Sequence, residues 1–179
     1  MIVFGLGNPG PKYSKSRHNV GFMAIEKLAA QEGLSLRKRC LHSYKWARKG
    51  SLTLVEPLTY MNNSGLVFPS LVKGEDMVVV IVDNMDLPVG RIRVKNGGGD
   101  AGHNGLKSII GRIGRDFLRI YVGVGRPDEG VAVAEHVLSA FPEDDLDRLD
   151  ASLDKAVEAV KALIAGEKLS NVIQRANTF

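Results

Sequence analysis

Residues 5–19 read GLGNPGPKYSKSRHN, and this stretch separates two segments of different secondary-structure preference. The apolar residues 1–4 before it predict a buried strand. After it, apolar residues between 20 and 30 recur at three and four positions, which predicts a helix capped by Asn19 or a neighbour and ended by Gly33. We therefore expect a strand-to-helix connection, and in open α/β sheets such connections form the ligand crevice.

The same stretch matches the G-x-G-x-x-G pattern of dinucleotide-binding proteins at residues 5–10. That fingerprint requires a helix to begin inside the motif, whereas the two prolines here favour extended backbone and remove two backbone donors. The nearest acid at the expected distance, Glu32, lies in the helical pattern and not after a second strand. The pattern instead indicates a rigid loop that holds Asn8, Tyr13 and His18 at one rim, and a nicotinamide-binding oxidoreductase stays as an alternative that cofactor binding would test.

Composition indicates one globular domain over residues 1–179. The chain is 44% hydrophobic and 25% charged, which allows a sizeable core, and it contains no low-complexity tract or internal repeat. Its apolar runs are too short to span a bilayer, and Met1 opens directly into a predicted strand without a signal-type segment. A single cysteine, Cys40, rules out an internal disulfide and agrees with a reducing compartment. We expect a cytoplasmic protein with no membrane association.

Positive charge is concentrated in the glycine-rich part of the chain. The net charge is +4 overall, but residues 131–179 carry 5 Lys and Arg against 9 Asp and Glu, whereas residues 1–130 carry 19 against 11. A basic face of this kind favours a nucleic-acid partner that is bound mainly through its phosphates, without reading of the base sequence.

The densest basic segment lies at residues 37–49, where Tyr44 and Trp46 stand among Lys and Arg side chains. Aromatic residues among cations suit single-stranded nucleic acid. The same residues are equally consistent with a hairpin of strands 43–48 and 51–55 whose solvent-exposed face is basic. Both interpretations stay open at the level of sequence.

Alternating strands and helices predict the fold class. Residues 77–82 form the most apolar strand, expected at the sheet centre, and Asp83 follows at its carboxyl end. Residues 91–95 alternate with period two, so three cations share one face of a strand. An apolar stripe from 146 to 164 predicts a long packing helix. We expect an α/β fold, namely a single-domain three-layer α/β/α arrangement with a mixed, largely parallel central sheet.

A second glycine-rich loop, residues 96–108, follows the basic strand and leads into a predicted helix. It lacks the glycine directly before Lys-Ser that a Walker A loop requires, so NTP hydrolysis is not indicated. Its free backbone N–H groups still suit an oxyanion or a phosphate.

The titratable residues favour direct attack by water. No G-x-S-x-G elbow is present, Cys40 has no second thiol, and the histidines show no H-E-x-x-H or similar spacing, so we expect neither a covalent intermediate nor a metal. An imidazole such as that of His18 can act as general base at neutral pH. Asp83 can hold that imidazole in one tautomer and stabilise its protonated form, and asparagine amides can donate to a developing oxyanion.

Five blocks of sequence carry a family resemblance that covers nearly the whole chain. They are GLGNPG at 5–10, RHNVG at 17–21, YMNNSG at 60–65, Asp83 with DLP at 86–88, and GHNGLK at 102–107. Together they resemble bacterial peptidyl-tRNA hydrolases. The resemblance implies a monomeric, cofactor-free esterase that cleaves the bond between the C-terminal carboxyl of a peptide and the 3′-terminal ribose of tRNA, with peptidyl-tRNA as its partner.

The resemblance also implies residue roles. His18 is expected to activate water, Asp83 to orient His18, and Asn8 to distinguish a blocked amino group from the free amine of aminoacyl-tRNA. The residues expected to line the groove for the peptide and the 3′ end are Tyr13, Tyr60, Asn62 and Asn104. Those expected to hold a tRNA phosphate are Lys95, Arg93 and Arg119. Tyr121 stands where relatives often have a second arginine. His103 either supports the residues of the site without contacting the substrate, or is simply part of its loop.

A second class of function stays open beside the enzyme. Plant intron-splicing factors resemble the same family, and the basic segment 37–49 would suit a similar RNA-binding protein without catalysis. Turnover of peptidyl-tRNA distinguishes the two classes.

Overall fold

Seven strands in the described residues form one sheet with a parallel middle and antiparallel edges. The computed structural model describes residues 1–38, 40–74 and 76–178, so Arg39 of the basic segment lies outside the described part. The strands are β1 (Ile2–Gly5), β2 (Arg37–Lys38), β3 (Tyr44–Lys49), β4 (Leu52–Pro57), β5 (Val78–Asn84), β6 (Ile92–Asn96) and β7 (Leu118–Gly123). Their order is β2-β3-β4-β1-β5-β7-β6. Neighbours among β4, β1, β5 and β7 pair parallel, whereas β2–β3, β3–β4 and β6–β7 pair antiparallel.

Helices cover both faces of this sheet. They are α1 (Val20–Gln31), α2 (Phe68–Leu71), α3 (Asn104–Ile113), α4 (Val133–Leu138), α5 (Leu146–Ile164) and α6 (Leu169–Asn177). One apolar core lies between the sheet and α1, α5 and α6. A second lies on the opposite face, under α2, α3 and a 3₁₀ helix over Met61–Val67. The predicted three-layer α/β/α arrangement with a mixed sheet is therefore confirmed.

The predicted elements agree with the observed ones, with small shifts in position. β1 is the middle strand, and the apolar β5, expected at the centre, is its neighbour. The basic strand β6 alternates as expected, with Arg93 and Lys95 exposed and Ile92 and Val94 buried. In α5 the interior of the apolar stripe is buried, but Leu146 and Ile164 at its ends are exposed. None of the helices in the described ranges has both the length and the apolar character to cross a membrane.

The first turn of α1 touches the backbone at the end of β1. A Cβ atom on Gly21 would lie 2.3 Å from the Leu6 nitrogen, so only glycine allows this approach. Asn19 directly precedes α1, yet its side chain does not cap the helix as the sequence suggested. Its Oδ1 accepts from the Asn8 N–H at 2.8 Å, and its Nδ2 donates to the Asn8 carbonyl at 2.9 Å. The loop at 5–19 is thereby fixed between strand and helix.

Candidate active site

A cleft of about 660 Å³ opens where several loops meet above the sheet. The loops follow β1, β4 and β5, and a fourth precedes α3. Seven of the residues predicted from the sequence line this cleft: Asn8, Tyr13, His18, Tyr60, Asn62, Asp83 and Asn104. Because β1 and β5 are adjacent and parallel, their carboxyl ends bring residues far apart in sequence to one place.

His18 and Asp83 are in direct contact. The His18 Nδ1 atom lies 2.8 Å from Oδ1 of Asp83, which is almost fully buried. With an N–H on Nδ1 donating to the carboxylate, the lone pair of the neutral ring is on Nε2. The His18 side chain is 14% exposed and lines the cleft, so this ring can take a proton from a bound water.

His103 is a second imidazole on the same carboxylate. Its Nε2 atom lies 3.0 Å from Asp83 Oδ1, and its Nδ1 accepts from the first N–H groups of α3, those of Gly105 and Leu106. Burial would raise the pKa of Asp83, but the two imidazoles, His103 and then His18, outweigh it and hold that pKa well below its ordinary value. The carboxylate therefore stays ionised at neutral pH.

Asn8 presents an amide of fixed orientation to the cleft. The residue is buried, and its Oδ1 accepts from the Met61 N–H at 2.8 Å. This bond assigns the oxygen to the protein side, so Nδ2 is the polar atom that remains for a ligand. Within the described residues, Nδ2 of Asn8 has no hydrogen-bond partner.

Two tyrosines and two further asparagines form the outer part of the cleft. Tyr13 and Tyr60 pack edge to face with ring centroids 6.5 Å apart. Tyr60 is 52% exposed and has φ of 60°, an unfavourable backbone conformation for a residue with a side chain. Asn62 lies on the 3₁₀ helix and Asn104 begins α3, and both are exposed to solvent. These rings and amides offer stacking and hydrogen bonding to a ligand.

The three predicted phosphate-binding cations do not line the cleft. Arg93 and Lys95 are exposed on the edge strand β6, and a Cβ on Gly98 would lie 3.3 Å from Lys95 Nζ. Arg119 is fully buried, and its guanidinium donates to the carbonyls of Gly98 and Gly99. The structure thus uses Arg119 to hold the second glycine-rich loop, beside which the Lys95 ammonium lies.

Helix α4 forms one wall of the cleft, and the sequence reasoning made no prediction for it. Cleft-lining apolar residues of this helix are Val133, Ala134, Val137 and Leu138. Arg17, next to His18, donates at 2.6 Å both to Ser139 Oγ and to the Ala140 carbonyl. These contacts between residues far apart in sequence leave no local pattern that could have revealed the wall.

His18, Asp83 and His103 are also the described residues whose ligating atoms lie close enough to consider a metal. Both imidazole nitrogens face the same carboxylate oxygen, at 2.8 and 3.0 Å. Ligands bonded to a tetrahedral zinc ion at its usual bond lengths lie roughly 3.4 Å apart. The observed spacing is that of hydrogen bonds, so the group would have to expand to hold an ion.

Comparisons with known proteins agree with the resemblance seen in the motifs. The family model for peptidyl-tRNA hydrolase matches residues 2–179. The peptidyl-tRNA hydrolase of Syntrophotalea carbinolica is 45% identical over 171 residues, covering 91% of this chain and 90% of that protein. That of Bacillus subtilis is 39% identical over 174 residues, covering 92% of each. A crystal structure of the peptidyl-tRNA hydrolase from Acinetobacter baumannii is similar with a TM-score of 0.90 at 33% identity, covering 99% of this chain and 94% of that one. The chain therefore belongs to the peptidyl-tRNA hydrolase family.

Proposed function

We propose that this protein hydrolyses the ester between the C-terminal carboxyl of a peptide and the 3′-terminal ribose of tRNA, with His18 as the base that activates water. The observation that carries the proposal is the contact of His18 Nδ1 with Asp83 Oδ1 at 2.8 Å, in a cleft lined by asparagine amides. Membership of the family supports the substrate, and the geometry supports the assignment of roles.

In the proposed reaction, Nε2 of His18 takes a proton from water as the oxygen attacks the ester carbonyl. The imidazolium that forms is stabilised by the ionised Asp83, which lies on the other side of the ring. The tetrahedral intermediate then collapses, the carbonyl re-forms and the C–O bond to the ribose breaks. The proton on His18 passes to the departing ribose oxygen, which leaves the base ready for the next cycle.

Amide donors are suited to the remaining tasks. The side chains of Asn62 and Asn104 at the cleft can donate to the developing oxyanion without adding charge. Asn8 offers only the donor Nδ2 to the cleft, because its Oδ1 is used by the Met61 N–H. A peptide carbonyl accepts from such a donor, whereas a free α-ammonium group does not. Discrimination between N-blocked and free aminoacyl-tRNA is therefore assigned to Asn8.

Phosphate binding is assigned to the edge strand β6. Arg93 and Lys95 are exposed, and their partners across the strand pair are Tyr121 and Arg119. The side chains of all four thus lie on the face of the sheet that carries the cleft residue Tyr121. Arg119 contributes indirectly, because its guanidinium donates to the carbonyls of the second glycine-rich loop and holds that loop in place. The exposed cations Arg93 and Lys95 supply the contact with tRNA.

We further propose that the enzyme is a cytoplasmic, single-domain monomer that works without metal or cofactor. One sheet that runs through the described chain supports the single domain. The hydrogen-bond spacing of His18, Asp83 and His103 supports water attack without a metal.

The test is turnover of N-acetyl-aminoacyl-tRNA against free aminoacyl-tRNA, with and without a chelator. We expect rapid hydrolysis of the blocked substrate only, unchanged by the chelator. Binding of tRNA with no turnover would favour the RNA-binding alternative, and binding of a nicotinamide cofactor would favour the oxidoreductase. Loss of activity with the chelator, restored by a divalent ion, would contradict the metal-free mechanism.

A further inference from the structure

One carboxylate oxygen in the cleft serves two imidazoles. Oδ1 of Asp83 lies 2.8 Å from His18 Nδ1 and 3.0 Å from His103 Nε2, and the two ring centroids are 5.0 Å apart. Carboxylate oxygens have two lone pairs, so both contacts are hydrogen bonds if each ring places its N–H toward Asp83. The tautomer of each ring therefore decides how the carboxylate is shared.

The structure fixes the tautomer of His103 independently of Asp83. Its Nδ1 lies 3.1 Å from the Gly105 nitrogen and 3.3 Å from the Leu106 nitrogen, whose N–H groups both point at it. An N–H on Nδ1 would oppose these two donors, and the positive end of the α3 dipole disfavours a protonated ring at this position. His103 is thus a neutral imidazole with its single proton on Nε2, facing Asp83.

We propose that His103 is a positioning residue for hydrolysis. Locked by the first turn of α3 as the Nε2–H tautomer, it shares Oδ1 of Asp83 with His18 and limits how strongly that carboxylate stabilises a protonated His18. The inference rests on the proposed role of His18 as base. It adds that the availability of this base at neutral pH is set by a third residue, which itself needs no contact with substrate.

The physical reason is competition for one acceptor. Donation from a neutral His103 stabilises the negative charge of Asp83 whether or not His18 carries a proton. The interaction between this charge and a protonated His18 is then weaker, so the neutral form of His18, which accepts a proton from water, is favoured. Removal of the His103 donor should therefore favour the protonated form of His18.

Close packing keeps the His103 ring in this position. A Cβ on Gly105 would lie 3.0 Å from His103 Cε1 and 2.6 Å from Met61 Sδ, so a larger residue would displace the ring or its neighbour. The His103 side chain is only 12% exposed. The ring is thus held on one side by Asp83 and on the other by the start of α3.

Other titratable and charged groups share the surroundings of His18 and Asp83, and they must stay constant in any test. Those that line the cleft are Asp86, Asp100, Tyr13, Tyr60 and Tyr121, with Arg126 paired to Asp86 and Arg17 beside His18 in sequence. A substitution confined to His103 leaves all of them in place, so a change in titration can be assigned to the shared oxygen.

The first measurement needs no substitution and no turnover. Long-range ¹⁵N–¹H correlation NMR of the parent at neutral pH reports which nitrogen of each histidine carries the proton. We expect His103 to be protonated at Nε2 only. A ring protonated at Nδ1, or at both nitrogens, would overturn the proposal directly.

Two substitutions then separate the two nitrogens of His103. In His103→Asn, the side-chain oxygen lies near the position of Nδ1 and can cap α3, but the shorter side chain has no donor that reaches Asp83. Gln places a donor near the position of Nε2 but has no acceptor for the helix. We expect His103→Asn to move the NMR titration curve of His18, and the acid limb of kcat/KM, to higher pH by roughly one unit, a tenfold change in proton affinity. We expect His103→Gln to keep the parental acid limb while the melting temperature falls by a few degrees.

A merely structural role would give a different result, because both variants would then alter stability and neither would move the titration curve of His18. That result, or an equal displacement in both variants, would refute the inference. The NMR curves are read without substrate, so they stay informative if His18 proves not to be the base. Failure of the proposed function would appear instead as full turnover by His18→Ala.

Discussion

The side-chain amide of Asn19 forms two hydrogen bonds with the backbone of Asn8, accepting its N–H at 2.8 Å and donating to its carbonyl at 2.9 Å. Both residues are buried. The pair joins the two ends of the loop between β1 and α1, and it sets the direction in which the Asn8 side chain leaves the backbone. Oδ1 of Asn8 accepts a hydrogen bond from the Met61 N–H, and this bond orients the Asn8 amide in the cleft.

We expect Asn19→Ala to weaken both the fold and the selection of substrate. Loss of the two hydrogen bonds to the Asn8 backbone, and of the one that Asn19 Oδ1 accepts from Ser16 Oγ at 3.3 Å, should lower the free energy of unfolding by about 2 kcal/mol, measured by urea denaturation. The preference for N-acetyl-aminoacyl-tRNA over free aminoacyl-tRNA should fall as well, because Asn8 loses its fixed orientation. Asn171→Ala, on the exposed face of α6, is the control. Parental selectivity in Asn19→Ala would show that Asn8 does not depend on this bridge.

His18→Ala should abolish hydrolysis of N-acetyl-aminoacyl-tRNA while the protein stays folded. Among the described residues, His103 is the other histidine that lines the cleft, and its Nδ1 accepts from the first N–H groups of α3. Single-turnover kinetics measures the loss, and circular dichroism checks the fold. His42→Ala removes an imidazole that does not line the cleft and should behave like the parent. Unimpaired turnover by His18→Ala would remove the mechanism.

Asp83→Asn should lower kcat on the order of 100-fold or more with little change in KM, because the charge that stabilises protonated His18 is lost. The two imidazoles hold the pKa of Asp83 below its ordinary value of 3.8, against the effect of burial. The ionised Asp83 therefore stabilises the fold above pH 3.8, and this stabilisation is lost only as the pH falls through the lower pKa of the folded state. The part of the stability difference between parent and variant that comes from ionised Asp83 should thus persist down to pH 3.8 and shrink only below it. Loss of this part at a pH above 3.8 would contradict the assignment of charge.

Glu56 gives a pH dependence that is separate from catalysis. Burial raises its pKa from 4.5 to about 7, although Lys45 opposes this with Nζ at 3.2 Å. The protonated form is favoured in the fold, so the stabilisation is fully present below 4.5 and is lost as pH rises through about 7. Glu56→Gln should remove this dependence and be more stable than the parent above pH 7, by an amount on the order of 3 kcal/mol.

Denaturation curves at several pH values measure this effect of Glu56. The matched control is Glu32→Gln, since Glu32 also pairs with a lysine, Lys49, but is partly exposed. It should leave the pH dependence of the parent in place. Parallel stability curves for the parent and Glu56→Gln between pH 5 and pH 8 would show that Glu56 is ionised throughout this range.

Lys95→Ala should raise KM and reduce the salt dependence of kcat/KM while kcat is largely kept, because one phosphate contact is lost. The slope of log kcat/KM against log salt should become less steep by roughly one. Lys38→Ala is the matched control, since Lys38 is an exposed lysine of β2 on the opposite edge of the sheet. If Lys38→Ala changes the slope and Lys95→Ala does not, tRNA binds at the other edge.

Local patterns in the sequence were sufficient for most elements of the fold. Period-two and helical spacing identified the strands and long helices because each buries one face or stripe. The two-residue strand β2 and the short α4 were not predicted, since neither is long enough to show a period, and no prediction covered α6. The local sequence indicates only a helix cap at Asn19, because the bridge that its side chain forms depends on a contact with Asn8, eleven positions earlier.

The candidate site was less accessible to sequence than the fold. Glycine-containing loops at strand ends indicated that His18 and Asp83 would converge, because adjacent parallel strands share one carboxyl edge. Nothing in the sequence indicated that His103 would use the same oxygen of Asp83. Burial of Arg119 was equally hidden, because no local pattern in β7 reveals that its guanidinium donates to the carbonyls of the second glycine-rich loop.

The cleft draws on residues from Asn8 to Leu138, and the sheet beneath it is completed only by β7. A growing copy of this polypeptide is itself esterified to tRNA on the ribosome, so it belongs chemically to the class of molecules that the finished enzyme cleaves. While only the first strand and helix have been synthesised, Asp83 and Asn104 do not yet exist and His18 has no partner. The enzyme therefore acquires its activity late in its own synthesis, when most of the sheet is in place.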